Sequence, residues 1–117
     1  MSTIKSFTSP KQSKLLAEIL PIESADMAYW KKSCRPNDYA IMAHHTKELQ
    51  EGFEAKGMEY IPCWSLVALL AQMPCVELVS SNDGHYRAFW HEKYSEWHTN
   101  AVDACVELLL RNRKEKK

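Results

Sequence analysis

The chain has 117 residues, a hydrophobic fraction of 45%, a charged fraction of 26% and no net charge at pH 7. This length predicts a single domain over residues 1–117, and the neutral balance excludes a general electrostatic attraction to nucleic acid or to a membrane surface. No apolar run reaches the roughly 18–20 residues of a membrane span, and the N-terminus lacks the apolar segment of a signal peptide. We therefore expect a cytoplasmic protein that has no membrane partner.

The first predicted element is an amphipathic helix that begins after Ser9. Ser9 is a typical N-cap, Pro10 suits the first helical position, and Gln12 is placed to return the second bond of a capping box. The helix must end before Pro21, because the residue before a proline disfavours helical geometry.

The region that follows gives weaker signals. Ser24 fits the cap of a second short turn over Ala25–Trp30. Residues 31–59 are interpreted as an irregular or variable insertion. Within it, Asn37–His45 fits a short strand, and Thr46–Gly57 fits a helix with an N-cap and a closing glycine.

The stretch Ile61–Pro74 is uncharged, mostly apolar and has a proline near each end. Its large apolar residues are spaced as one stripe of a helix; they are Leu66, Leu69, Leu70 and Met73. Val67 and Ala71 widen that stripe, which predicts a helix buried on more than one side. This stretch is expected to organise the core and to carry no chemistry of its own.

A β-hairpin is predicted next. Cys75–Ser81 and Tyr86–Lys93 fit two strands, and Asn82-Asp83-Gly84 is a turn signal between them. Alternation places three residues of the second strand on one face, namely Tyr86, Ala88 and Trp90.

A final helix is predicted after Asn100, which is a good N-cap, with Asp103 at the positive end of the helix dipole. Its inward stripe is Val102, Cys105, Val106 and Leu109, and residues 111–117 form a basic tail. The elements together predict an α+β fold. Helices pack on one face of a small antiparallel sheet of two to four strands, and a C-terminal β-hairpin is followed by a helix.

Three segments of the chain carry a resemblance: SPKQSKLLAEILPIESADM, IPCWSL followed by LL and MP, and N-x-VDACVELLL. Together with the hairpin they resemble a family of small uncharacterised proteins from phages and integrated mobile elements of anaerobic gut bacteria. Ala101 stands where that family leads us to expect a proline. The resemblance implies a genomic setting and no reaction. Its motif residues are interpreted as packing and capping residues: Trp64, Leu66, Leu69, Leu70, Pro74, Asp103 and Cys105.

The sequence indicates no catalytic group, cofactor or metal site, and we expect a non-enzymatic protein. Zinc ligands usually occur in close pairs, whereas the closest cysteines are Cys63 and Cys75. Cys34 has basic neighbours that would favour its thiolate, but a surface cysteine in a basic loop is the simpler interpretation. In a reducing compartment the four cysteines are expected to be free thiols.

Protein binding is the leading functional hypothesis. Trp90, Tyr94 and Trp97 cluster around the end of the second predicted strand, and Trp and Tyr are frequent interface anchors. Exposure of this cluster would favour binding of an unknown protein partner or a homodimer, whereas burial would assign the three residues to the core.

A nucleic-acid-binding module is the alternative. Aromatic side chains can stack on bases and basic side chains can hold phosphates. The candidates are Tyr86, Arg87, Arg111, Arg113 and Lys114. The zero net charge and the acidic residues of the same region count against this alternative.

Overall fold

The computed structural model describes residues 5–31 and 39–115, with side chains up to residue 112. The helices are α1 (Pro10–Ala17), α2 (Lys47–Ala55), α3 (Leu66–Ala71) and α4 (Ala101–Glu115), with a 3₁₀ turn at Ile22–Ser24. The strands are β1 (Met27–Lys31), β2 (Tyr39–Met42), β3 (Glu59–Cys63), β4 (Glu77–Ser80), β5 (Tyr86–Trp90) and β6 (Lys93–Tyr94). The predicted α+β class is confirmed, but the strands form two antiparallel three-stranded sheets.

The first sheet has the strand order β2-β1-β3. Its central strand corrects one prediction, because Met27–Lys31 is extended and Ala25–Trp30 is not a helical turn capped by Ser24. Tyr29 pairs with a residue on each side, Ile41 in β2 and Ile61 in β3. These partners are distant in the sequence, so local signals did not reveal the strand.

The structure also corrects the prediction that the stretch Ile61–Pro74 is helical from its start. Ile61–Cys63 belongs to β3, and Pro62 is tolerated there because β3 is an edge strand. The chain turns at Ser65, whose hydroxyl accepts a hydrogen bond from the Ala68 amide at 3.2 Å and caps α3.

Helix α3 buries one side only. Leu69 and Met73 are fully buried, as the apolar stripe predicts, and Leu66 and Leu70 pack beside them. Val67 is 75% exposed, so the prediction of burial on more than one side is wrong.

The second sheet has the order β4-β5-β6 and contains the predicted hairpin. Gly84 takes the positive φ of +83° that the turn requires. The second strand ends at Trp90, earlier than predicted, because His91 and Glu92 adopt φ values of +52° and +64°. Those two residues make the turn into β6.

The described part of residues 31–59 is regular, which corrects its interpretation as irregular. It contains β2 and α2, and the Thr46 hydroxyl accepts from the Leu49 amide at 3.1 Å as the predicted cap. Gly57 closes the helix with φ +76°. Cys34 and the start of the predicted strand, at Asn37, lie outside the described residues.

Among the described residues, two clusters of buried side chains make up the core. The larger one joins α1, α3 and β5 to the inward stripe of α4, where Val102, Cys105, Val106 and Leu109 are all buried as predicted. The smaller one lies on the first sheet and contains Tyr29, Ile61 and Cys63. Helix α1 packs against both β3 and α4 and so connects the two clusters.

Thr8 is a buried polar residue at this connection. Its hydroxyl lies 2.7 Å from the Ser13 hydroxyl and accepts a hydrogen bond from the Trp64 amide at 3.2 Å. Its carbonyl accepts from the Tyr29 hydroxyl at 2.7 Å. The segment before α1 is thereby attached to the first sheet and to the chain entering α3.

Candidate interaction surface

The described residues offer no evident catalytic or metal centre. Within 5–31 and 39–115, no group of three or more His, Cys, Asp or Glu side chains could hold a metal ion. Cys63 and Cys105 are buried free thiols. Burial raises the pKa of both, in Cys105 to about 11, which disfavours the nucleophilic thiolate.

A cleft of about 350 Å³ lies between the 3₁₀ turn and the start of α2. Its lining residues are Ile22, Glu23, His45, Thr46, Lys47 and Gln50. His45 uses its Nδ1 in a 2.7 Å hydrogen bond with the Tyr60 hydroxyl, and burial lowers the pKa of His45. Glu23 and Lys47 are exposed at the rim, so the cleft presents charges of both signs and no convergent set of groups.

The three aromatic residues predicted as an interface do not form one patch. Trp90 is buried in the larger core cluster, and its indole N–H donates to the Pro74 carbonyl at 3.0 Å. Tyr94 and Trp97 are 53% and 43% exposed. Trp90 therefore belongs to the core, while the other two remain candidates for binding.

Arg87 joins the two exposed rings. Its guanidinium carbon lies 5.2 Å from the centre of the Tyr94 ring and 4.8 Å from the centre of the Trp97 ring. Phe89 stacks on Tyr94 with 4.4 Å between ring centres. We call Arg87, Phe89, Tyr94 and Trp97 the aromatic face.

Strand register explains why these side chains lie together. Arg87 and Phe89 alternate with Ala88 and Trp90, so they point away from the core that α4 covers. Phe89 pairs directly with Tyr94 across β5 and β6, which places both rings on the outer side of the sheet.

The short segment that carries Trp97 is fixed at both ends. The buried Ser95 donates its amide to the Ala88 carbonyl at 2.8 Å, and its hydroxyl accepts from the Ala88 amide at 2.9 Å. His98 pairs with Tyr86 through two backbone hydrogen bonds of 2.6 and 2.8 Å. The Arg87 Nε donates to the Ser95 carbonyl at 3.0 Å, which fixes the guanidinium beside the rings.

Helix α4 holds the same segment from the inner side. Glu107 accepts from the Glu96 amide at 2.9 Å and contacts the His98 ring nitrogen at 2.8 Å. It also pairs with Arg111, whose guanidinium donates to the Tyr94 carbonyl at 2.8 Å. Burial raises the pKa of Glu107, but the bonds from His98 and Glu96 and the charge of Arg111 outweigh burial, so the carboxylate is favoured.

Among the described nucleic-acid candidates, the two strand residues do not share a face of the sheet. Tyr86 and Arg87 are consecutive strand residues and point to opposite faces of the sheet. Arg111 pairs with Glu107, and the side chains of Arg113 and Lys114 lie outside the described set. Among the candidates whose side chains are described, Arg87 contacts both exposed aromatic rings.

Sequence reasoning missed the joining role of Arg87 and the participation of Phe89. The alternation that places Tyr86, Ala88 and Trp90 together also places Arg87 and Phe89 on the other face, so the pattern itself contained this signal. The position of Trp97 depends on the contacts of Ser95 and His98, which no local pattern indicates.

Searches against protein-family models, curated proteins and solved structures gave no match to this chain. Within the described residues, none of the helices combines the length and the apolar character needed to cross a membrane.

Proposed function

We propose that the protein is a non-enzymatic binding protein that recognises a protein partner through the aromatic face. The observation that carries this proposal is the position of the Arg87 guanidinium between the exposed rings of Tyr94 and Trp97. Tryptophan, tyrosine and arginine are the residue types most enriched among interface hot spots.

Preorganisation supports the same function. Phe89 stacks on Tyr94, and the Trp97 segment is fixed through Ser95 and His98. Side chains that are already ordered lose less conformational entropy when a partner binds, so more of the contact energy remains as affinity.

The biological setting is part of the proposal. The resemblance supports a role as an accessory protein of a phage or mobile element. The free thiols of Cys63, Cys75 and Cys105 support a reducing compartment, and hence the cytoplasm.

Affinity capture with a matched pair of variants tests this function. Wild-type protein, Trp97→Ala and Ile41→Ala are immobilised and exposed to nuclease-treated extract of the native host. Ile41 is the control because it is exposed to a similar extent, 42%, but lies on β2 in the other sheet. We expect one or more proteins to bind the wild type and Ile41→Ala and to bind Trp97→Ala at least about tenfold more weakly.

Retention of the same proteins by Trp97→Ala would contradict the proposal, provided that its circular dichroism spectrum matches that of the wild type. In a parallel capture from untreated extract, binding to the wild type that appears only when nuclease is omitted would instead identify a nucleic-acid partner. The exposed rings beside Arg87 are the observation that favours this second candidate. It predicts saturable binding of single-stranded probes at low salt, which fluorescence anisotropy measures.

A further inference from the structure

Within residues 5–31 and 39–115, strand β4 is an open edge of the second sheet. Among the described strands it pairs with β5 alone, and all four of its residues are exposed, including the apolar Leu78 and Val79. Helix α4 packs against β5 and leaves β4 uncovered. Proteins usually protect such edges with charged side chains, above all lysine, with proline or with a bulge; Glu77–Ser80 contains the single charge of Glu77 and no lysine or proline.

Hydrogen bonding elsewhere in the sheet shows which backbone groups of β4 face outward. Tyr86 and Ala88 direct their N–H and C=O groups toward His98 and Ser95, away from β4. Their partners in β4, Ser80 and Leu78, therefore form non-hydrogen-bonded pairs with β5. The N–H and C=O groups of Leu78 and Ser80 consequently point to the open edge.

We propose that this edge pairs with the same edge of a second copy of the chain, to form a symmetric dimer with a continuous six-stranded sheet. The pairing uses the backbone edge of β4, whereas the aromatic face is built on β5, β6 and the Trp97 segment, so it can fail or succeed independently of the proposed function. The Val79 side chain points to the same side of the sheet as its partner Arg87. The two-fold axis is perpendicular to the sheet, so each face of one copy continues into the same face of the other copy. Residues that lie opposite each other across the axis must therefore belong to the same face.

One register satisfies all the outward groups. With Val79 opposite Val79 of the second copy, Leu78 lies opposite Ser80, and the two hydrogen-bonded pairs use every outward N–H and C=O. The two valines then form a non-hydrogen-bonded pair at the axis, with Cα atoms about 4.5 Å apart. Glu77 lies opposite Ser81, so the register brings no like charges together.

This self-complementarity is the reason to prefer a second copy over a foreign strand. An unrelated peptide could use the same backbone groups, but it would have no reason to match the valine pair and the position of Glu77. The predicted sheet also brings the aromatic faces of the two copies onto the same side.

A cysteine cross-link tests the register directly. In a Cys34→Ser/Cys75→Ser background, Val79→Cys places two thiols within the Cα range of a disulfide. Leu78→Cys is the matched control, because its Cα would be about 9 Å from that of its copy, beyond the ~7 Å limit. We expect mild oxidation to convert Val79→Cys to a disulfide dimer at least about tenfold faster than Leu78→Cys. Equal rates would overturn the register.

Sedimentation equilibrium up to roughly 1 mM protein tests the dimer itself, since so small an interface is expected to be weak. We expect a reversible dimer for the wild type and for Val67→Lys, whose valine is exposed on α3. Val79→Lys should lose the dimer through charge repulsion at the axis. Ser80→Pro should also lose it, because proline removes an outward N–H and leaves the bonds to β5 intact. A monomeric wild type, or variants that dimerise equally well, would overturn the proposal.

Discussion

Asp103 joins three separate parts of the chain through one carboxylate. It accepts hydrogen bonds from Lys5 at 2.7 Å, Gln12 at 2.8 Å and Asn100 at 2.9 Å. Burial raises the pKa of Asp103, but these three bonds together outweigh burial and hold the pKa below its ordinary value. The residue therefore does more than meet the dipole of α4, which is the role that its position predicts.

Asp103→Asn is expected to lower the free energy of unfolding by about 1–3 kcal/mol at neutral pH, because it removes a charged acceptor from the three bonds. A carboxyl with a lowered folded-state pKa stabilises the protein above its unfolded pKa of about 4, and this stabilisation is lost as the pH falls through the folded pKa. Urea denaturation should therefore show that the difference in unfolding free energy between the wild type and Asp103→Asn becomes smaller from pH 7 to pH 3.

Glu92→Gln serves as the control for this prediction, since Glu92 is an exposed carboxylate in the turn before β6. Its unfolding free energy should follow that of the wild type at each pH. If the difference in unfolding free energy between the wild type and Asp103→Asn stayed constant with pH, the charge of Asp103 would not be the source of the stabilisation.

Helix α3 buries a single side, so substitutions on its two sides should differ in their effect on stability. Leu69→Ala is expected to lower the free energy of unfolding by ~2–5 kcal/mol, because Leu69 is fully buried in the larger cluster. Val67→Ala on the exposed side of the same helix should change it by less than ~0.5 kcal/mol. Chemical denaturation measures both, and similar losses for the two variants would contradict the orientation of α3.

Elements whose signals are local could be predicted from the sequence. The capping box of Ser9 and Gln12, the cap at Thr46 and the cap at Asn100 all form as expected, because each depends on residues three positions apart. The hairpin turn at Gly84 follows for the same reason. The α+β class follows from these elements together.

Elements that depend on distant pairing could not be predicted. β1 is a strand because β2 and β3 pair with it on both sides, and its own residues gave a signal that also fits a turn. Ile61–Cys63 is apolar, like the helix that follows, and a short apolar run does not distinguish strand from helix. For the aromatic face, the sequence suggested Tyr94 and Trp97, but the burial of Trp90 depends on its packing against α4 and its bond to Pro74.

Thr8 and α1 connect two sheets that have separate buried clusters. Thr8→Val keeps the shape of the side chain but removes the acceptor of the Trp64 amide and the partner of Ser13. We expect it to lower the free energy of unfolding by about 1–3 kcal/mol, because buried polar groups lose their partners.

Both sheets should lose stability together in Thr8→Val. Hydrogen exchange followed by mass spectrometry is expected to show reduced protection of β1 and of β5 by similar factors. Leu16 of α1 lies in the larger cluster, while Ser13 of α1 bonds to Thr8, whose carbonyl accepts from Tyr29 of the smaller cluster. Thr46→Val is a suitable control, since it removes the hydroxyl that caps the exposed helix α2 and should act locally. A loss confined to one sheet in Thr8→Val would mean that the two clusters unfold independently.

The position of α1 also has a consequence for biosynthesis. Its residues leave the ribosome before every other helix and strand described, yet the partners of Leu16 and Gln12 in α4 are translated last among the described elements. Domains usually fold as units during synthesis. The residues of α1 that pack on α4 therefore stay uncovered while the intervening chain is synthesised. The surface of α1 that packs on α4 is therefore covered only after Asp103 and its helix have been synthesised.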